Sequence, residues 1–247
     1  MTTKVVPGML IAVASADEVA REAAARMARV LHDTINGRGS ATIALSGGET
    51  PKATYGKLAT DGKVDWTKVH VFWVDERAVP PTDKQSNYRW AKEALIDPAK
   101  IPLENVHRMP ADSKDLEQAA REYEAMLKTK VHAGAGGVPA FDLMVLGVGD
   151  DGHTASLFPN HPAVNVTDRL AIAIGETPGR EPRLTLTAPV IEQSRAVFVL
   201  AVGAKKTPAL ERVWSTSGSV AETPARIIRN VRGSIQWVID KSAGGMG

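Results

Sequence analysis

The feature that most constrains this chain is a repeated local pattern: a short apolar run that stops abruptly at glycine or at charge, followed by a stretch of helical periodicity. "MLIAVA", "ATIALS", "HVFWVD", "FDLMVLGVG" and "AVFVLAVG" are such runs. The run around Leu143 is apolar on both faces, as a central strand of a parallel sheet must be. Between the runs, Glu18 to about Asn36, with Asp17 as cap and "GRG" as stop, reads as a helix. Pro51 suits the first turn of a second helix. "SNYRWAKEALI" reads as a third, with Ser86 or Asn87 as its cap. Asp115 to about His132 and Thr207 to Ser215 complete the set, with "RLTLTA" and "SIQWVID" as further strands. Alternation of this kind predicts an α/β fold: an open, mostly parallel sheet with helices on both faces. Neither a repeat nor a low-complexity linker divides the 247 residues, so one domain over 1–247 is expected. The tail "SAGGMG" is expected to fray.

Composition excludes several functions. Hydrophobic residues make up 43% and charged residues 23%, an ordinary globular balance. The formal net charge is only +2 and the basic residues are scattered, which gives no footprint for nucleic acid. With no cysteine there is no disulfide and no thiolate metal site, as fits a reducing compartment. No run reaches the roughly 20 apolar residues that span a bilayer, and Pro7 and Gly8 interrupt the N-terminal one. A soluble, cytoplasmic protein without membrane or nucleic-acid partners is expected.

In open α/β sheets ligands bind beyond the carboxyl ends of the strands, and four polar clusters sit at such ends. "LSGGETP" is a glycine turn opening a helix. It is either a plain turn or an anion cradle, with Ser46 and Thr50 adding hydroxyls to the N–H groups around Gly47 and Gly48. It lacks the P-loop spacing. "VDER" puts Asp75 and Arg77 at the rim of the core, as a surface charge cluster or as groups facing a ligand. "AKK" puts Lys205 and Lys206 at a helix start, solvated or offset by an anion. "GVGDDGH" delivers His153 beside Asp150 and Asp151. Its Gly-x-Gly fails the full dinucleotide fingerprint. That histidine can be a general base, a metal ligand or a structural residue, and the carboxylates beside it can fix its tautomer. The other five histidines lie in no ligand-like motif, so no metal is expected.

Taken together, "LSGGETP", "VFWVDERAVPPTDKQSNYRWAKEAL" and "LGVGDDGHTASLFP", with "RLTLTAPVI" and "VGAKK", resemble the glucosamine-6-phosphate isomerase/6-phosphogluconolactonase superfamily, on its lactonase side. The resemblance implies a Rossmann-like sheet and hydrolysis of 6-phospho-D-glucono-1,5-lactone without cofactor or metal. It implies His153 as the base on water and Asp151 as its orienting carboxylate. Arg77 or loop N–H groups would stabilise the oxyanion, and Asp75 would hold sugar hydroxyls. Ser46, Gly47, Gly48, Thr50, Arg183 and Lys206 would bind phosphate, with Lys206 preferred to Lys205 on register alone. The partner would be the phosphosugar lactone, and the chain a monomer or weak homo-oligomer. The deaminase branch carries a glutamate five residues after this histidine and "DEY" in the other motif, whereas this chain has Phe158 and "DER". Two readings compete with the lactonase: that deaminase-like activity, and a silent sugar-phosphate-binding module, which would keep the "SGG" and Lys/Arg anchors but could lose the His–Asp pair that this chain keeps.

Overall fold

The computed structural model describes residues 3–176 and 179–246. Its first strand, β1 (Met9–Val13), leads into the helix α1 (Ala16–Arg38). Ser15 caps that helix, two residues earlier than the Asp17 expected. Its hydroxyl accepts from Glu18 N–H, while the Glu18 carboxylate reaches back to Ala14 N–H at 2.8 Å. That reciprocal pair satisfies two N-terminal donors at once. Then come β2 (Ala41–Leu45), α2 (Glu49–Ala59) and β3 (Val69–Trp73). The expected third helix starts at its Ser86 cap but is α-helical only as α3 (Asn87–Ala91), and winds into a π-turn over Lys92–Ile96. After α4 (Leu116–Lys130), capped by Asp115, the chain enters β5 (Leu143–Gly147) and later α5 (Ala188–Gln193), β8 (Ala196–Ala201), α6 (Thr207–Trp214) and β9 (Ser234–Asp240).

Six strands form one wholly parallel sheet in the order β1-β9-β8-β5-β2-β3. Helices cover both faces. Adjacent residues of a strand point to opposite faces. On β9, Gln236 meets Arg26 of α1, while Trp237 meets Trp214 of α6 edge-on with ring centroids 5.6 Å apart. The chain steps outward from β2 to β3, then returns to the other side of β2 with β5 and continues to β8. The order reverses between β2 and β5, which is where such sheets open a crevice.

A second sheet departs from the sequence expectation. Asp75–Arg77 does not end β3; it forms a separate strand, β4, which pairs antiparallel with β7 (Arg183–Leu186), itself antiparallel to β6 (Ala171–Ile174). "RLTLTA" is therefore a strand of the small antiparallel sheet, not of the parallel one. One residue joins the two sheets. Val74 N–H donates to Leu45 in the large sheet at 2.9 Å, and its carbonyl accepts from Leu186 in the small one at 2.8 Å. The C-terminal tail is folded rather than frayed through Met246. Ala243 N–H and the Ser242 hydroxyl both bind the Asp240 carboxylate, and Ala243 is fully buried.

Candidate active site

The crevice is a cavity of about 380 Å³ where β2, β5 and β8 end. All four clusters singled out from the sequence reach it: Ser46 to Thr50, Asp75 with Arg77, Gly147 to His153, and Lys206. Arg183 joins them from β7. Lys205 is exposed and does not line the cavity.

After β2, the turn is held from below by the buried Tyr55, whose hydroxyl donates to the Ser46 carbonyl and accepts from its N–H at 2.9 and 3.1 Å. Gly48, at φ +113°, is the N-cap of α2 and contributes no side chain to it. The first N–H groups of that helix are therefore left for another partner, with the positive end of its dipole behind them. The Ser46 hydroxyl is buried and unpaired. Gly47 is required by contact: a Cβ there would lie 1.8 Å from the Asn87 side-chain oxygen.

The β5 turn works differently, because it delivers a side chain. Gly149 N–H donates to the His153 carbonyl at 2.9 Å, and Gly152 N–H donates to the Gly149 carbonyl at 2.9 Å. Gly152 sits at φ +96°, and a Cβ on Gly149 would come within 2.0 Å of the His153 ring. Only glycine fits at either position. His153 Nδ1 lies 2.6 Å from Asp151 Oδ1, which also accepts from His153 N–H at 3.0 Å. Asp151 Oδ2 accepts from Arg180 at 2.8 Å. The His153 hydrogen bond chiefly, with its backbone N–H and Arg180, holds the Asp151 carboxyl well below the usual carboxylate range against the opposing effect of burial. An ionised Asp151 accepts from an Nδ1 that carries hydrogen, which leaves Nε2 as the ring nitrogen not engaged by this pair.

Asp75 is 6% exposed and is gripped by residues from three distant segments. Ser156 donates to it at 2.6 Å, Asn87 at 3.3 Å, and Arg183 stands 3.9 Å away. Glu76, beside it, faces away from the cavity and accepts from the N–H groups of Arg77, Asn87 and Tyr88 at the start of α3. Burial pushes its carboxyl above the usual range, although those three donors oppose the shift. Arg77 donates to the Gln85 carbonyl, and Lys206 pairs with Asp150 at 2.7 Å. Burial lowers the Arg183 guanidinium from its ordinary value. Four buried polar atoms around the cavity lack a partner among the described residues: Ser46 Oγ, Arg77 Nε, Asn87 Oδ1 and Arg183 Nε. Such groups are costly to leave unpaired and mark a place completed by something else.

Sequence reasoning did not assign Asn87, Ser156 and Arg180 to the site. Asn87 and Ser156 lie inside the motifs already quoted, but nothing local ties them to Asp75. Phe158 follows a turn at residues 154–157. Its ring packs edge-on against the His153 ring at 5.1 Å and lies under the Arg180 and Arg183 guanidiniums at 3.9 and 5.7 Å. No group of three or more His, Asp or Glu side chains with metal-ligating spacing occurs among the described residues, and no helix there is long and apolar enough to cross a membrane.

Known proteins are similar to this chain over most of its length. Residues 14–237 match the family of glucosamine-6-phosphate isomerases/6-phosphogluconolactonase. A 6-phosphogluconolactonase of Synechocystis is 47% identical over 207 residues, covering 84% of this chain and 85% of that protein. One of Streptomyces coelicolor is 36% identical over 234 residues, covering 91% and 89%. The solved 6-phosphogluconolactonase of Trypanosoma brucei superposes with a TM-score of 0.85 at 27% identity, over 96% of this chain and 98% of that one. With a full-length fold, a strand-end cavity and these relatives in agreement, the chain belongs to the glucosamine-6-phosphate isomerase/6-phosphogluconolactonase family.

Proposed function

We propose that the protein hydrolyses 6-phospho-D-glucono-1,5-lactone to 6-phospho-D-gluconate. The observation that carries this reading is the pairing of His153 with an ionised Asp151 on the wall of a cavity that N–H groups, three cations and the Asp75 carboxylate also line. The phosphate, remote from the reacting carbon, is bound by the Ser46–Gly48 turn, Thr50, Arg183 and Lys206, and positions the ring without taking part in the chemistry. His153 Nε2 takes a proton from water as its oxygen attacks C1. The carbonyl electron pair moves onto oxygen, and the oxyanion is stabilised by Arg77 or by loop N–H groups. As the carbonyl re-forms, the bond from C1 to the ring oxygen breaks and the imidazolium returns its proton to that oxygen. The product carboxylic acid then ionises. Asp151 holds the imidazolium in place through Nδ1, and Asp75 binds sugar hydroxyls. The sequence supplies Phe158 where the deaminase side of the family has a carboxylate, and phenylalanine cannot exchange protons.

The test is hydrolysis of freshly prepared lactone with the spontaneous rate subtracted, alongside ammonia release from glucosamine 6-phosphate. Lactone turnover with no ammonia is expected. Ammonia release at a comparable rate would overturn the assignment.

A further inference from the structure

Four side chains close a ring beside the cavity. Asp151 binds His153 Nδ1, His153 packs edge-on against Phe158, Phe158 lies flat under the Arg180 guanidinium at 3.9 Å, and Arg180 returns to Asp151 Oδ2 at 2.8 Å. Arg180 comes from the segment leading into β7, far in sequence from the loop that carries the histidine. Asp151 is thereby used on both oxygens: one faces the ring and backbone of His153, the other faces Arg180.

We propose that Arg180 is a positioning residue for the His153–Asp151 pair, fixing the carboxylate and opposing protonation of the imidazole so that His153 stands ready as a neutral base. This deepens the lactone-hydrolysis reading and rests on it. An ionised Asp151 alone favours the imidazolium form, since the two charges would lie in hydrogen-bond contact. A base that is protonated at working pH removes no proton from water. The Arg180 cation, on the far oxygen of the same carboxylate and on the far side of Phe158, counters that attraction. It also supplies the second anchor that prevents the carboxylate from rotating about its bond to the loop. A guanidinium suits both tasks, because its flat face stacks on the phenyl ring while its edge donates to carboxylate. Other charges face the same histidine: Asp75 and Arg77 from β4, Arg183 from β7, and Lys206 with its partner Asp150 across a shallow cleft that Arg180 also lines. Arg183 and Lys206 are already paired with Asp75 and Asp150. Arg180 is the cation that shares the carboxylate with His153.

The experiment compares wild type, Arg180→Ala, Arg180→Gln and Arg180→Lys in two ways. One is the pH profile of kcat/KM on the lactone. The other is the titration midpoint of the His153 ring nitrogens, read by NMR on the ligand-free protein. Losing the cation should move both the acidic limb and the midpoint up by about one pH unit in the Ala and Gln variants. That is about a tenfold loss of kcat/KM at pH values below the limb. Arg180→Lys keeps the charge and should leave both in place. If Ala does not fold, the contrast between Gln and Lys carries the test. An unmoved limb and midpoint in the Gln or Ala variant would overturn the proposal, as would a higher KM with no pH shift, which would make Arg180 a substrate contact. Absence of lactone turnover in wild type, or full turnover in His153→Ala, would instead refute the underlying reading, and the NMR arm would still report on Arg180.

Discussion

The two ends of the central strand β5 treat charge in opposite ways. Just before the strand, Asp142 is 3% exposed, with one oxygen hydrogen-bonded and the other, which makes no hydrogen bond, facing two arginines. It accepts from the Thr42 N–H and hydroxyl at 2.9 and 3.0 Å, and its other oxygen lies 2.7 Å from Arg38 and 3.2 Å from Arg195. Just after the strand, four buried polar atoms around the cavity have no partner among the described residues. At one end the molecule finishes its electrostatics internally and gains structure. At the other it leaves them open and gains a site. A buried carboxylate is thus no guide to function by itself; what separates Asp142 from Asp75 is that Asp75's neighbours Asn87 and Arg183 each keep an unpartnered atom at the cavity.

The contrast is tested most strongly at His153. His153→Ala should lose roughly 10²–10⁴-fold in kcat, the usual span for a general base, with an unchanged melting temperature. Near-normal turnover would erase the distinction between the two ends. Asp142→Ala should do the reverse, destabilising the fold by about 1–3 kcal/mol, chiefly through the orphaned Thr42 N–H, since Arg38 and Arg195 are part-exposed and screened by water, while kcat per folded molecule stays put. Denaturant unfolding and active-site titration together decide it. Next in size is the phosphate subsite. Arg183→Ala should weaken 6-phosphogluconate binding about ten- to a hundredfold, and Lys206→Ala about tenfold, because charge-assisted hydrogen bonds are lost. Gluconate should be far less affected in calorimetry, and equal losses for both ligands would move these cations out of the subsite.

The smallest effect concerns a closed polar pair away from the cavity. His70 Nδ1 and His107 Nε2 lie 3.0 Å apart, and burial, then His70, then Lys130, push the His107 ring down to about 4. An unfolded chain protonates this residue near pH 6.5, whereas the folded chain resists until about 4. Stability from its neutral form is therefore complete above pH 6.5 and declines as pH falls from there toward 4. His107→Gln should flatten that slope in melting curves and leave kcat untouched. An altered kcat would show that the pair is coupled to the site after all.

The parts of this molecule that could be read in advance are those where one residue's role follows from its immediate neighbours in the chain. Ser46–Gly48, Gly147–His153 and Lys206 stood out because polar residues follow abruptly on apolar strands. The second sheet did not, because Asp75–Arg77 continues the apolar run of β3 without a turn signal; the change of sheet occurs at Val74 through hydrogen bonds to Leu45 and Leu186, which no local pattern encodes. The same holds for the hydrogen bond of Ser156 to Asp75, separated by 81 residues, and of Arg180 to Asp151. The cap of α1 was displaced for a smaller reason. Asp17 and Ser15 are both good caps by type, and the reach of Glu18 back to Ala14 favours the serine.

The strand order also dictates a schedule. β1 has one neighbour in the sheet, β9, and the Trp237 indole that donates to the Pro7 carbonyl is 230 residues further along the chain. During synthesis β1 emerges long before its only partner. β2 and β3, joined by α2, can pair at once, and β5 and β8 add beside them as they appear, so the strands that frame the cavity assemble while β1 still waits. Its closing contact spans nearly the full chain and carries the largest loop-closure cost of any pairing in the sheet. The β1 edge of the sheet therefore cannot close until β9 has been made.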